Sequence, residues 1–81
     1  MKKITFTAQA RADVRRLDIP TAMRLFTALQ RFAQTGEGDL KKLKGDTDES
    51  RLRIGDYRIR FIQDAESITI RRVLHRSEAY R

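Results

Sequence analysis

Ser50-Arg51-Leu52-Arg53-Ile54-Gly55-Asp56-Tyr57-Arg58-Ile59-Arg60-Phe61-Ile62-Gln63, residues 50–63, alternates arginine with apolar residues on both sides of a Gly-Asp pair. A period of two is the mark of a strand with one face buried. Leu52 and Ile54 therefore share one face of the first run, and Arg51 and Arg53 share the other. In the second run Ile59 and Phe61 lie opposite Arg58 and Arg60. Gly55-Asp56 is a two-residue reversal, so the pair reads as a hairpin. Asp64-Ala65-Glu66 turns the chain again, and Ser67 to Leu74 makes a third strand with Ile68 and Ile70 on one face. Arg71-Arg72 interrupts that alternation, which predicts a bulge or the end of the sheet. Residues 75–81 read as a short tail or one helical turn.

Upstream of the meander the period changes. Lys2 to Thr7 alternates with a β-branched bias and reads as a short strand. Thr7 can cap a helix through Arg16, with Ala10, Val14 and Leu17 on its apolar stripe. Asp18-Ile19-Pro20 stops that helix and starts another, because proline in a first turn has no N–H to lose. The second helix runs to about Gln34, burying Ala22, Leu25, Phe26, Leu29, Phe32 and Ala33, and Gly36 is its natural stop. Residues 36–39 and the lysine-rich Leu40 to Gly45 read as loop, followed by an acidic turn, Asp46 to Glu49. The order β-α-α-β-β-β predicts one α+β domain over residues 1–81. Two N-terminal helices pack on a small, mostly antiparallel sheet.

The 81 residues leave room for one domain. No cysteine is present, which excludes disulfides, zinc–thiolate centres and cysteine nucleophiles. It also favours a reducing, cytoplasmic setting. No apolar run exceeds three residues, so neither a membrane span nor a signal-peptide core is expected. Eighteen Lys+Arg against eleven Asp+Glu give +7, which attracts a polyanion or an acidic protein.

With helices on one face of the sheet, the other face carries Arg51, Arg53, Arg58 and Arg60 on adjacent strands. Cross-strand neighbours lie about 5 Å apart, so like charges there repel. The carboxylates fall mainly in turns. That pattern favours an anion-binding face over a merely solvated one. Lys41, Lys42 and Lys44 are expected to reach it from the preceding loop, and His75, Arg76 and Tyr80 from the tail. His75, the single histidine, is read either as structural or as an acid–base group. Tyr80 is read either as a satellite core residue or as a stacking platform for a base. Arg71 and Arg72 are expected to be solvated. One histidine makes no metal site, and no cofactor is expected.

These segments in combination resemble a known superfamily. They are the Leu40-Lys41-Lys42-Leu43-Lys44-Gly45 run, Arg51 to Phe61, and Arg72-Val73-Leu74-His75-Arg76-Ser77-Glu78-Ala79-Tyr80-Arg81. The whole chain is similar to the RelE/ParE superfamily of type II toxin–antitoxin toxins. The resemblance implies a RelE-like, microbial RNase-type fold and, for the RelE branch, a metal-independent mRNA interferase that cuts mRNA on the ribosome. It also implies roles for Lys42, Lys44, Arg51, Arg53, Arg58, His75, Arg76 and Tyr80. The expected chemistry falls to His75, Arg58, Arg53, Arg76 and Tyr80. Lys41, Lys42, Lys44, Arg51 and Arg60 would hold RNA phosphates. The partners implied are an acidic antitoxin, the ribosome and mRNA. The helix pair and one sheet face use up the apolar residues and leave no self-complementary stripe, so the free chain is expected to be a monomer.

RNA brings its own nucleophile, the 2′-hydroxyl. Cleavage then needs a base, an acid and donors for the charged phosphorane. Arginine suits the last task, since it stays charged and grips phosphate bidentately. His75 is the better acid–base candidate by chemistry, and a lysine is second. Leu74 departs from the small residue that many RelE-like sequences have before the histidine. Val73-Leu74-His75 also resembles the ParE branch, which acts by binding DNA gyrase. A gyrase inhibitor and a non-toxic RNA-binding module are therefore the alternative readings.

Overall fold

The computed structural model describes residues 1–42 and 48–79. Its elements run β1 (Lys3–Phe6), α1 (Ala8–Arg15), α2 (Ile19–Thr35), β2 (Asp39–Lys42), β3 (Ser50–Ile54), β4 (Tyr57–Gln63), β5 (Ser67–His75) and α3 (Arg76–Ala79). The helix boundaries follow from their caps. Thr7 Oγ1 accepts the Ala10 N–H at 3.1 Å, and the Asp18 carboxylate accepts the Thr21 N–H at 3.4 Å. Gly36 closes α2 at φ 76°, a left-handed geometry that suits glycine, and its N–H donates to Phe32 O at 2.8 Å. Gly55 opens the β3–β4 reversal at φ 58° for the same reason.

The strands form one sheet in the order β1-β5-β4-β3-β2. The meander β3–β4–β5 is antiparallel, as its sequence pattern requires. β1 joins the far edge of β5 in parallel, Ile4 beside Ile68 and Phe6 beside Ile70. The register slips between Arg60 and Phe61, which answers the broken alternation at Arg71-Arg72.

One element departs from the sequence reading. Asp39 to Lys42, expected as loop, is the edge strand β2, paired antiparallel with β3. Its Asp and Lys content carries little strand propensity. Such residues are nevertheless usual on an edge, where charge discourages pairing with another chain. Gly38 just before it lies so close to the core that a Cβ there would meet Leu52 Cδ1 at 2.7 Å.

Both long helices cover one face. Leu25, Leu29, Phe32 and Ala33 of α2 and Ala10 of α1 pack with Leu52, Ile59, Phe61, Ile68, Ile70 and Val73. Phe32 meets Phe61 edge-on at 5.4 Å, and Phe6 meets Phe26 at 5.9 Å. Ala22 and Phe26, placed on the buried face of α2 by periodicity, are only half-buried. The other sheet face carries neither α1 nor α2.

Candidate nucleic-acid interface

Strand register sets out the helix-free face as two rows. In the first, Lys41 of β2 stands opposite Arg51 of β3, Arg51 opposite Arg60 of β4, and Arg60 opposite Arg72 of β5. In the second, Asp39 stands opposite Arg53, Arg53 opposite Arg58, and Arg58 opposite Leu74. The alternation of residues 51–60 thus becomes a cationic surface across four strands. Lys41 belongs to it because β2 is a strand.

The carboxylates are not confined to turns, as the sequence suggested. Glu49 is buried between two arginines, receiving the Arg60 Nε–H on Oε1 and Arg71 Nη1 on Oε2 at 3.4 Å. Its side chain is 8% exposed, against 43% for Arg60 and 52% for Arg71. Arg53 lies 3.6 Å from Asp39, both well exposed. Arg58 is 8% exposed and donates Nη1 to the carbonyls of Gly55 and Tyr57 at 3.0 and 3.1 Å. It is therefore folded back over the hairpin turn and does not stand free. The repulsion expected among four guanidiniums is relieved by these acceptors.

Arg71 and Arg72 are not simply solvated charges. Arg72 grips Asp13 of α1 with Nε on Oδ2 at 2.9 Å and Nη2 on Oδ1 at 3.3 Å. Asp13 Oδ2 also accepts the Val73 N–H at 2.9 Å. Burial works against ionisation of Asp13. The hydrogen bonds from Arg72, Val73 and Gln9, with the Arg72 charge, outweigh it and hold its carboxyl below the ordinary range. The hydrogen bond to Asp13 likewise raises the pKa of Arg72, despite some burial. Sequence reading missed Asp13. Its signal was a carboxylate at i+3 from Ala10 and i−4 from Leu17, on the apolar stripe. Nothing in the local sequence marked Glu49, whose partners lie 11 and 22 residues away.

The tail residues do not all join the arginines. His75 stands opposite Tyr57, on the face of Ile59 and Val73, and its ring meets Tyr57 edge-on at 5.4 Å. There it lines a cavity of about 140 Å³ with Asp13, Arg16 and Leu17. The sequence reading put His75 on the arginine face. The β4–β5 bulge leaves Arg71 over and sends His75 to the other, so that its neighbour Leu74 pairs with Arg58. His75 Nδ1 accepts the Ser77 N–H at 3.2 Å and lies 3.0 Å from Ser77 Oγ, so it caps α3. Arg76 is exposed, its N–H donating to Asp56 O at 2.7 Å and its Nε 3.9 Å from Asp56 Oδ1. Lys42 pairs with Ser50 through the backbone. Lys44 and Tyr80 lie outside the described residues.

A face of strand-borne arginines that neither α1 nor α2 covers, on an α+β chain of this size, invites comparison with known proteins. A family profile described as the ParE toxin of the type II toxin–antitoxin system parDE matches residues 4–80. The chain belongs to this family. It is thus a toxin of the type II toxin–antitoxin class, in the RelE/ParE superfamily. Toxin RelE3 of Methanocaldococcus jannaschii is 45% identical over 42 residues, a stretch covering 52% of this chain and 48% of that toxin. The match thus spans about half of that relative's length. Among solved structures, this toxin is similar to the RelB–RelE antitoxin–toxin complex from Methanococcus jannaschii. The two are 26% identical, with 94% of each chain covered and a TM-score of 0.76. It shares its fold with the archaeal RelE–RelB complex from Pyrococcus horikoshii OT3, at 20% identity, 95% and 97% coverage and a TM-score of 0.77. Among the described residues no helix of this toxin is long and apolar enough to cross a membrane.

Proposed function

We propose that this toxin is of the RelE type, an endoribonuclease that cuts mRNA on the ribosome and so arrests translation. The observation that carries the reading is the row Lys41–Arg51–Arg60–Arg72 beside Arg53 and Arg58 on the helix-free face. It fits a phosphodiester chain laid across strands. In the reaction the 2′-oxygen bonds to phosphorus and the bond from phosphorus to the 5′-oxygen breaks. The 2′-hydroxyl proton passes to solvent, and the leaving 5′-oxygen gains one. Arg53, the most open arginine of its row, would donate to the charged phosphorane, with Arg51 beside it. Arg58, held by two backbone carbonyls, would supply fixed positive charge. The Lys41 ammonium, opposite Arg51, is assigned as proton donor to the leaving oxygen, with Lys42 and Lys44 following it in sequence.

His75 is assigned a positioning role. It caps the turn that carries Arg76 and lies on the opposite sheet face from the arginines. The antitoxin we infer is an acidic protein that neutralises part of the +7 charge. The RelB–RelE antitoxin–toxin complex of M. jannaschii, to which this chain is similar, supports such a partner.

The test is purified toxin added to ribosomes programmed with a defined mRNA, in a cytoplasmic-type buffer. Cleavage products should end in a 2′,3′-cyclic phosphate or 3′-phosphate upstream and a 5′-hydroxyl downstream. Cleavage should survive chelation at concentrations that leave ribosomes intact. The matching of a ParE profile, and a histidine turned away from the arginines, favour gyrase inhibition as the second reading. Loss of supercoiling activity without RNA cleavage would establish it instead.

A further inference from the structure

Three arginines converge on one open cavity at the β5 side of the helix-free face. The cavity has a volume of about 320 Å³ and is lined by Arg60, Arg71, Arg72, Glu49, Thr7 and Gln9. Its construction differs from that of a solvated cluster. Each arginine is held by a buried carboxylate, Glu49 for Arg60 and Arg71, and Asp13 for Arg72. The acids are almost inaccessible while the guanidiniums remain part-exposed. An acid meant only to neutralise exposed cations would be screened by water and gain little. Buried against them it fixes their orientation, while the part-exposed arginines keep donors for a second anion. A guanidinium has five N–H donors, and the grip of Arg72 on Asp13 uses two. The register break between Arg60 and Phe61 falls here, and bulges commonly re-aim side chains.

We propose that this cavity is a second phosphate site, which takes a backbone phosphate of single-stranded RNA next to the scissile one. Glu49 acts in it as a positioning residue. The proposal rests on the RNA-directed reading of the arginine face and adds a named subsite to it. Arg58 and Arg60 are two residues apart on one strand, about 6.6 Å along it, a step that one nucleotide can span. The scissile phosphate then lies in the Arg53–Arg58 row and its neighbour in the Arg60–Arg71–Arg72 cavity. The exposed Arg71 makes the site testable without disturbing the core.

The probe is a short RNA with 2′-O-methyl riboses, which binds but cannot be cut. Its affinity for the full chain is measured by fluorescence anisotropy at several salt concentrations. Arg71→Gln should weaken binding about tenfold and lower the slope of log K against log salt by about 0.7, as for one lost phosphate contact on a single strand. Arg71→Lys should restore the slope and only part of the affinity, because it keeps the charge and loses the fork. Glu49→Gln should weaken binding although it makes the chain more positive, a sign opposite to simple charge attraction. Arg24→Gln, on the helix side, is the comparison. The proposal is overturned if Arg71→Gln matches wild type, or if Arg24→Gln lowers affinity and slope equally. A Glu49→Gln variant that does not fold leaves the Arg71 pair to decide. Wild-type toxin that fails to bind the probe overturns both this site and the RNA-directed reading. Wild type that binds, with Arg71→Gln unaffected, overturns this site alone.

Discussion

The Asp13 carboxylate and the Arg72 guanidinium form a bidentate pair across 59 residues of sequence, at 2.9 and 3.3 Å. The same carboxylate accepts the Val73 N–H. It stands where β1 no longer runs beside β5, since β1 pairs only with Ser67 to Ile70. A side chain of α1 thus satisfies a strand N–H that has no strand partner on that side. It also ties the helix layer to an arginine of the opposite sheet face.

Replacing Asp13 by alanine should therefore destabilise the fold by about 2–4 kcal/mol, because a buried N–H and a half-buried cation lose their acceptor together. Urea denaturation should show a lower midpoint at unchanged slope. The pH dependence has a definite sign. The carboxyl is held below the ordinary range in the folded state, so the unfolded chain binds its proton first as pH falls. The stabilisation is complete above the unfolded value, near 3.9, and is lost as pH falls through the lower native value. Stability of wild type should drop more steeply below about pH 5 than that of Asp13→Asn.

Arg53 and Arg58 are cross-strand neighbours in very different settings. Arg53 is exposed, with a long, solvent-screened contact to Asp39. Arg53→Ala should change stability by no more than about 0.5 kcal/mol while lowering cleavage about 10²–10³-fold. Arg58 is buried and tied to two carbonyls. Arg58→Ala should lose activity and also about 1–3 kcal/mol of stability, since Gly55 O and Tyr57 O lose a charged donor. Thermal melts run beside single-turnover cleavage separate the two. Equal stability loss in both variants would contradict the burial difference.

For His75 the distinguishing readout is the pH–rate profile. A capping residue that accepts the Ser77 N–H can be replaced by asparagine or serine, which accept the same bond. His75→Asn should keep most of the activity and both limbs of the profile. His75→Ala should lose the cap, about 1 kcal/mol, and part of the activity with the profile's shape unchanged. Loss of one limb in His75→Asn would return the histidine to proton transfer.

Much of this molecule is local and was legible as such. Thr7, Asp18 and Gly36 bound their helices through contacts within three or four residues. The period of two from Arg51 to Phe61 put the arginines on one face, because alternation along a strand needs no knowledge of its neighbours. The capping, turn and patterning signals agree with one another, and this consistency made the α+β class readable. Local pattern does not state which strands meet. The parallel pairing of β1 with β5 brings together residues 64 apart in sequence, and the β2 edge exists only because β3 offers it a partner. Neither Asp13–Arg72 nor Glu49–Arg60 has a short-range signature, since ion pairs form wherever the fold delivers opposite charges to one low-dielectric spot. The side of the sheet that His75 occupies was likewise decided by tertiary structure. A single-residue shift at the β4–β5 bulge moves every later side chain of β5 to the opposite face.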